Sequence, residues 1–428
     1  MPRALLLAAA LVAVAVTAYG VLTHLADATL GTALPPFVMS YGIRVEPLWL
    51  LAAAAAVAAL TAAAPRLLTA ALPAPAFAAI ALAAALVLEL TVNAVRLGTY
   101  GWWRIFDLRA GGSFEAGNEY LPGLGALRYG GRFFLDRFAE LIPALPVNVA
   151  GHPPALMLVI DTLGLGTAQR LAGLCIACAA VTAPLAYALA RTLGLQEPSA
   201  RLAGLLAAAS PAMVLFGATS ADAVFAAVGL GAACLLASRR PPVRALGAVA
   251  LAVAAFFSWA LLAIAAWGAI LAWRREGLRA AVILAVACAV AVVAFNALLY
   301  AVSGYDPIGT LRATEAYYRN SLARDRPYRF WVLGSPVAFL VTVGLPVAAG
   351  LLTGVRRALA PALAIGGVIA VAALAGFTKA EVERIWLPFV PLACVAAAAA
   401  LPTRRPRVIV GALAAQALLT MVAFETIW

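Results

Sequence analysis

The longest interruption of the apolar runs in this chain is RLGTYGWWRIFDLRAGGSFEAGNEYLPGLGALRYGGRFFLDRFAELIPALPVNVAGHPP, residues 96–154. It is rich in charge, aromatic side chains and glycine. It contains five carboxylates and one of the two histidines of the chain: Asp107, Glu115, Glu119, Asp136, Glu140 and His152. A segment of this length without an apolar run of its own is typical of a folded functional loop. The sequence therefore predicts that residues 96–154 form a folded cap or a catalytic face.

The runs on either side of this segment set the fold class. The chain is 65% hydrophobic and 11% charged, with a mean hydropathy of +1.00, whereas soluble proteins average about 25% charged residues. A helix needs roughly 20 apolar residues to cross a bilayer, and lipid-exposed backbone must satisfy its own hydrogen bonds. Because the runs are continuous rather than alternating, they predict an all-α polytopic membrane protein. We expect one integral membrane domain, residues 1–428, with outer loops at 96–154 and 302–329.

The apolar runs predict about thirteen transmembrane helices, within a range of eleven to thirteen. The first is the N-terminal run, whose span-length apolar stretch predicts a helix that stays attached. The others occupy 47–64, 74–95, 170–192, 201–217, 219–237, 243–257, 258–273, 278–301, 330–353, 359–377, 385–401 and 406–424. The short apolar piece after His152 predicts a re-entrant or surface helix.

The placement of arginine predicts the orientation, since cytoplasmic loops collect Lys and Arg. With a cytoplasmic N-terminus, fifteen arginines but only the acids Glu197 and Glu276 fall on that side. The long loop, Asp222, the loop 302–329 and the segment 379–384 then share the outer face. Arginine dominance, with Lys379 as the only lysine, and the alanine content favour a bacterial protein of the plasma membrane.

Several classes of partner are disfavoured. The net charge of +12 is divided into short arginine clusters rather than one basic face, which argues against nucleic acid. The five cysteines lie inside predicted spans, and the CxxC pair Cys175 and Cys178 has no second pair. The sequence therefore predicts no metal site, no disulfide and no cofactor. The apolar runs predict membrane lipid as a partner.

Asp222 lies at a tight turn between two predicted spans, within apolar sequence. A charge at the bilayer centre costs about 2.5 to 3.5 kcal/mol on insertion scales, so such a residue is typically paired or functional. The alternative is a helix N-cap, in which Ser220 or Asp222 satisfies free N–H groups of the following helix. The sequence leaves both open.

Two further segments carry candidate binding residues. Lys379, Glu383 and Arg384 precede a span on the predicted outer face, where Arg384 runs against the positive-inside trend and favours a phosphate ligand; the alternative is a Glu–Arg pair at a helix end. The loop 304–331 combines arginines with aromatic residues, including Arg319 and Tyr318. This composition suits a sugar-phosphate headgroup but also plain interfacial anchoring.

Within the long loop, Phe133, Phe134, Phe138 and Leu141 fall near helical spacing and predict an amphipathic helix on the membrane surface. Asp136 and Glu140 would form its solvated face. Asp107 and Glu115 stand near arginine and glycine, as loop ion pairs do. His152 is a candidate base, although a lone histidine is more often a hydrogen-bonded structural residue.

The chain resembles the GT-C superfamily of polytopic glycosyltransferases, especially the protein-mannosyltransferase and aminoarabinose-transferase-like branch and its actinobacterial members. Four local features carry the resemblance, in order along most of the chain from about residue 74: Glu119-Tyr120, His152-Pro153-Pro154, GTAQRLAGL (166–174) with SPAMVLFGATSAD (210–222), and EVERIWLPF (381–389). The sequence departs from the family in the position and context of the loop acid. The loop acid usually follows the first span, often as an Asp-Glu pair, whereas here two extra spans precede it.

The resemblance implies inverting transfer of a hexosyl or pentosyl group from a polyprenyl-phosphate donor to a cell-envelope glycan, lipid or protein outside the cytoplasm. It implies Glu119 as the base, with Asp107 and Glu115 as open alternatives and His152 in a catalytic or supporting role. Substrate contacts would come from Tyr120, Asp222, Glu383, Arg384, Lys379, Arg319 and Tyr318, with Arg384 as the phosphate ligand. The competing interpretations are a transporter or flippase for a lipid-linked sugar and a scaffold subunit that has lost activity.

Overall fold

The structure is a computed structural model, and it describes residues 2–26, 30–109, 111–320, 324, 326–376 and 378–426. These residues form a nearly all-α protein whose only sheet has two strands of three residues each. This confirms the predicted all-α class.

The N-terminal half builds the predicted loop from short helices between longer ones. Its elements are α1 (Pro2–Leu25), β1 (Met39–Tyr41), α2 (Pro47–Thr69), α3 (Ala74–Asn93), α4 (Gly131–Asp136), α5 (Phe138–Leu141), α6 (Val147–Ala150), α7 (Ala155–Thr162), α8 (Ala168–Thr192) and α9 (Glu197–Ala209). Five 3-10 helices complete the loop: Gly98–Trp102, Arg104–Phe106, Phe114–Asn118, Leu121–Tyr129 and Ile142–Ala144.

The C-terminal half is helical almost throughout. Its elements are α10 (Pro211–Phe216), α11 (Asp222–Leu236), α12 (Pro241–Ala255), α13 (Ala263–Glu276), α14 (Leu278–Ser303), α15 (Pro307–Asn320), α16 (Tyr328–Thr342), α17 (Leu345–Arg356), α18 (Ala360–Ala375), α19 (Val382–Ile385), α20 (Val390–Ala398), α21 (Pro406–Ala423) and β2 (Phe424–Thr426). Two 3-10 helices, Trp259–Leu262 and Leu387–Phe389, precede α13 and α20.

The described residues contain six helices long and apolar enough to cross a membrane, namely α1, α2, α3, α8, α14 and α21. Counting α16 and α17, which meet at a bend of 116°, as one broken span makes seven. Other apolar helices, such as α11, α12 and α18, are shorter than a span. The predicted count of thirteen is not confirmed.

Prolines and glycines divide the apolar runs into pieces that hydropathy alone does not separate. The run 201–217 is broken at Ser210, because Pro211 restricts the residue before it and starts a new helix. Within the run 330–353, Gly344 adopts φ +105°, a left-handed conformation that glycine tolerates, and the chain turns sharply into α17. Local breakers of this kind shorten helices without changing average hydropathy.

The basic turns gather at one end of the helix bundle. The guanidinium of Arg201 donates to the carbonyl oxygens of Leu67, Ala70 and Leu72 in the α2–α3 turn. Arg244, at the start of α12, pairs with Glu276, at the end of α13, at 2.7 Å. The helix ends that the sequence assigns to the basic side are therefore neighbours in space.

The centre of the bundle is made of alanine-rich helices. Every residue of α20 is buried, as are all residues of α9 from Ala200 onward. Small side chains let such helices approach closely, which is typical of helix packing in membranes. In contrast, most of α1 and α14 is exposed although both are strongly apolar, and apolar surface of this extent indicates contact with lipid or with another protein.

Residues 96–154 follow the end of α3 that lies opposite the α2–α3 turn, and their described part folds into short α-helices and 3-10 helices. The amphipathic surface helix predicted there is instead two short helices, α4 and α5. Phe134 and Phe138 are fully buried between elements, while Phe133 is exposed. The two helices are separated at Arg137, and the burial of these two rings means that this face packs against the protein and not against a membrane surface.

The C-terminus returns to this same end. Strand β2 pairs antiparallel with β1, with Ser40 opposite Glu425. The amide of Gly42 donates to the carbonyl oxygen of Ala423 at 3.1 Å, and that of Glu46 donates to Val95 at 2.7 Å. The strand pairing and the Gly42–Ala423 bond hold β2 beside the segment before α2, and the Glu46–Val95 bond joins that segment to the end of α3.

Candidate functional site

A buried ion pair between Asp222 and Arg384 lies at the centre of the polar residues at this end. The guanidinium donates to Oδ2 of Asp222 at 2.8 Å, and the two residues are 2% and 4% exposed. Ser220 donates to the same carboxylate oxygen at 2.7 Å and accepts from the backbone N–H of Asp222 at 3.1 Å. Asp222 is thus paired, and it also begins α11, where the helix dipole favours a negative charge.

Arg384 also contacts Glu381 and, at a longer distance, Asn148. Its Nη2 lies 3.1 Å from Oε2 of Glu381 and 3.5 Å from Oδ1 of Asn148. Burial by itself lowers the pKa of Arg384, but the charges of Asp222 and Glu381 outweigh it and raise that pKa. The Glu–Arg pair at a helix end that the sequence allowed is present, formed by Glu381 rather than Glu383.

Glu381 joins two arginines while its backbone is strained. Its Oε1 accepts from Arg326 at 2.9 Å, and Arg326 also donates to the backbone oxygen of Lys379 at 2.6 Å. Burial raises the pKa of Glu381, but the charges of Arg384 and Arg326 lower it below its usual value. Ala380 and Glu381 both have positive φ, +65° and +60°, a conformation that costs non-glycine residues free energy and is concentrated at functional sites.

Glu119 lies beside this ion pair at the end of a 3-10 helix. Its Oε1 accepts from the Asn148 side chain at 2.8 Å, and among the described residues its Oε2 has no partner. The residue is 1% exposed. Burial raises the pKa of Glu119 to about 8, against the charge of Arg384 and with a smaller contribution from Asp222. A carboxyl group with a pKa near neutrality is matched to proton transfer.

His152 connects the loop to α11. Its Nδ1 lies 2.7 Å from the Asn148 backbone oxygen and 3.3 Å from the Tyr120 hydroxyl. Because a carbonyl only accepts, Nδ1 carries the proton in that bond and Nε2 is left with the lone pair. The ring packs 4.8 Å from that of Phe225, and burial lowers the pKa of His152. These contacts position Asn148 and Tyr120 next to Glu119.

Glu383 anchors the segment before β1. Its Oε1 accepts from the backbone N–H of Val38 at 2.7 Å, while its Oε2 has no partner in the described part of the chain. Burial raises the pKa of Glu383 to about 7. Glu383 is therefore next in sequence to Arg384 but holds a different part of the chain.

The other two acids proposed as bases have partners of their own, although Glu115 is near enough to Glu119 for its charge to raise the Glu119 pKa. Asp107 forms a two-point ion pair with Arg109, both contacts 2.8 Å, and accepts from Tyr100 at 3.0 Å. The Arg109 hydrogen bonds hold the pKa of Asp107 well below its usual range. Glu115 accepts from Asn118 at 2.8 Å. Asp107 is thus a loop ion pair, and of the three acids only Glu119 has a buried carboxyl oxygen without a partner among the described residues.

The remaining candidates divide between the cluster and the surface. Arg319 pairs with Glu315 on an exposed face of α15 and lies outside the cluster. Tyr318 lies beside Arg326 and the backbone of Lys379. The structure therefore joins Tyr318 and Lys379 to the edge of the cluster through Arg326.

Sequence reasoning missed Asn148. It considered Ser220 only as a helix cap, and it placed Arg326 and Glu381 in candidate segments without choosing them as site residues. Their polar types and positions are ordinary in a loop, so only their contacts single them out. It also missed Glu89, a buried carboxyl in α3 whose Oε2 has no partner among the described residues. Glu89 is the only charged residue of that helix, and the rarity of charge within a span is the signal that could have found it.

The described residues contain no group of three His, Cys, Asp or Glu side chains that could hold a metal ion. All five cysteines are free thiols. No protein-family model matches the sequence, and no curated protein or solved structure matches it.

Proposed function

We propose that this chain is an inverting glycosyltransferase of the bacterial plasma membrane. It transfers a sugar from a polyprenyl-phosphate donor to a cell-envelope glycan, lipid or protein, and its active face is extracytoplasmic. Glu119 is the base that takes the proton of the acceptor hydroxyl. Helices α1 and α14 are apolar and largely exposed. Embedded in lipid, they would hold the site at the membrane surface, where a lipid-linked donor is accessible.

The observation that carries this proposal is the state of the Glu119 carboxyl group. Asn148 orients one oxygen at 2.8 Å, and the other oxygen has no partner in the described part of the chain. A general base needs an oxygen that is fixed in direction and that no other donor occupies. Because Oε2 is buried, the acceptor hydroxyl would have to displace the side chains that cover it. In the deprotonated state, the nearby positive charge of Arg384 stabilises the carboxylate.

The bonds, electrons and protons of the transfer step balance without a cofactor. The acceptor oxygen attacks the anomeric carbon as Glu119 removes the hydroxyl proton, and the bond from that carbon to the phosphate oxygen breaks on the opposite face. The lipid phosphate leaves with the bonding electron pair, and cationic groups stabilise its developing charge. Arg384 already contacts Asp222 and Glu381, so it would bind this phosphate only by exchanging a carboxylate partner.

Transfer of labelled sugar tests the proposal. The purified protein in proteoliposomes is incubated with radiolabelled polyprenyl-phosphate sugars and membrane acceptor fractions, and Glu119→Gln is compared with wild type. Loss of a general base costs typically 10²–10⁴-fold in rate. Glu140→Gln is the matched control, because Glu140 is an exposed acid of the same loop paired with Arg137. Equal turnover of Glu119→Gln and wild type would refute the assignment.

A transporter or flippase for a lipid-linked sugar is the second candidate, favoured by Glu89 and by the bent pair α16–α17. Ionisable groups inside spans mark ion or substrate paths, and broken helices are a feature of transporters. Protein that moves labelled lipid-linked sugar across the bilayer without forming a glycosylated product would support this function instead.

A further inference from the structure

Three arginines surround a small cleft where α2 begins and α3 ends. Arg44 precedes α2, and Arg96 and Arg104 follow α3. The cleft has a volume of about 50 Å³, more than the roughly 10–15 Å³ that one water needs. We propose that this cleft binds a phosphate group, such as that of a lipid headgroup or of free phosphate.

Arg96 is held rigidly at the base of the cleft. Its Nη1 lies 2.7 Å from the backbone oxygen of Gly42 and 3.3 Å from those of Met421 and Phe424. The residue is 9% exposed. A guanidinium oriented by its own protein loses little conformational freedom when it binds an anion, which favours affinity.

Among the residues that the structure describes, Glu425 is the one carboxylate that lines the cleft. It lies 3.7 Å from Arg96 and 3.7 Å from Arg104, and its side chain is 51% exposed. These separations exceed hydrogen-bond distance, so the contacts are electrostatic and loose. Pairing of β2 with β1 places Glu425 there. The carboxylate thus occupies part of the position that a bound anion would take.

The charges of the cleft are unbalanced. Among the described residues, three guanidinium groups face a single carboxylate, and no hydrogen bond involves the side chain of Arg44 or Arg104. Burial lowers the pKa of Arg96, Glu425 raises it, and the positive charges of Arg44 and Arg104 lower it further. The excess positive charge favours an anion with more than one oxygen, because guanidinium binds phosphate in a two-point geometry.

The position of the cleft strengthens this argument. It lies where α2 begins and α3 ends, opposite the basic turns. The positive-inside trend therefore does not account for its three arginines. Ser113, whose hydroxyl can donate, also lines it. In the Asp222–Arg384 pair, by contrast, the protein's own carboxylates already neutralise the guanidinium.

The cleft shares two segments with the candidate active site. Ser113 caps the 3-10 helix Phe114–Asn118 that leads to Glu119, and Thr219, another lining residue, precedes Ser220. Assigning the bound phosphate to the sugar donor rests on the proposed function. Phosphate binding itself does not, and it can be measured without any transfer assay.

Calorimetric titration of the full-length protein in detergent tests the site, with farnesyl phosphate, farnesol and inorganic phosphate as probes. We expect farnesyl phosphate to bind and farnesol not to. Inorganic phosphate of equal affinity would identify free phosphate as the ligand, whereas binding of farnesyl phosphate alone would identify a lipid headgroup. Equal binding of farnesol and farnesyl phosphate would overturn the proposal.

Two variants locate the binding. Arg104→Gln is expected to weaken it about tenfold or more, and Glu425→Gln to strengthen it several-fold, since removal of the carboxylate removes a competitor. Arg128→Gln is the matched control, because Arg128 is an exposed arginine of the same loop that stacks on Tyr129. If Arg104→Gln and Glu425→Gln bind like wild type, the site is elsewhere. Binding that persists in a protein without transfer activity contradicts only the proposed function.

Discussion

Asn148 donates its side-chain amide to Glu119 at 2.8 Å, across 29 residues of the chain. Its side-chain oxygen lies 3.5 Å from the Arg384 guanidinium, and its backbone oxygen accepts from His152 at 2.7 Å. One amide residue therefore connects the candidate base, the buried cation and the histidine. This arrangement explains how Glu119 is oriented without a direct bond to Arg384.

Replacing Asn148 tests whether this orientation matters for activity. In Asn148→Leu, Glu119 loses its donor, so we expect sugar transfer to fall about 10- to 100-fold, in line with the loss of a well-oriented supporting contact. Initial rates at saturating donor separate this loss from a change in KM. Asn118→Leu is the control, because Asn118 binds Glu115 instead. If both variants lose activity equally, the effect is a general one on the loop.

The pH dependence of transfer follows from the raised pKa of Glu119. With a pKa of about 8, only about one tenth of the carboxyl is ionised at pH 7, so the rate should rise with pH through about 8. A pH–rate profile of kcat/KM between pH 5.5 and 9.5 measures this. A profile that is flat above pH 5.5 would mean that Glu119 does not act as the base.

The stability of the folded protein should decrease as the pH rises, whereas the rate of transfer should increase. The folded state holds the Glu119 proton more tightly than the unfolded state, whose ordinary pKa is 4.5. This contribution is present below about 4.5 and is lost as pH rises through about 8. We expect the denaturant concentration at the unfolding midpoint of the wild type to decrease as the pH is raised from 5 to 8, relative to that of Glu119→Gln, whose side chain does not titrate. Parallel curves would contradict the raised pKa.

Breaking the Asp222–Arg384 pair should be costly. Removing one partner of a buried ion pair leaves an uncompensated charge and typically destabilises by about 3–5 kcal/mol. We therefore expect Asp222→Ala to lower the free energy of unfolding by that amount, measured by denaturant titration in detergent. Glu315→Ala, which removes the exposed partner of Arg319, should change it by less than about 1 kcal/mol. A double replacement, Asp222→Leu with Arg384→Met, should recover part of the loss.

Glu89 separates the two candidate functions. In a transferase, Glu89→Gln keeps the size and polarity of the side chain within α3 and should leave sugar transfer within about twofold of wild type, as expected for a neutral substitution. In a transporter, it should abolish movement of the lipid-linked sugar, since ionisable groups within spans act in such paths. Parallel transfer and translocation assays on the same preparation decide between them.

Much of the scaffold was predictable because it depends on local properties. Apolar run length and continuity predict helices. Arginine clusters predict which side of the membrane a helix end faces, and that orientation stays a prediction. The count of spans was not predictable in this way. Ser210-Pro211 and Gly344 break runs of unchanged hydropathy, and whether such a break bends or ends a span depends on the helices packed against it.

The amino-acid sequence alone determined that this is a helical chain suited to a membrane, with an acid-rich segment at 96–154, because hydropathy and charge are properties of each stretch by itself. Tertiary packing determined which of these acids differs from the others in its burial and its pKa. Asp107 meets Arg109 two residues away, whereas Glu119 is buried against Asn148 and near the Asp222–Arg384 pair. The protonation of a carboxyl group depends on desolvation and on charges from distant parts of the chain, and only folding brings those together.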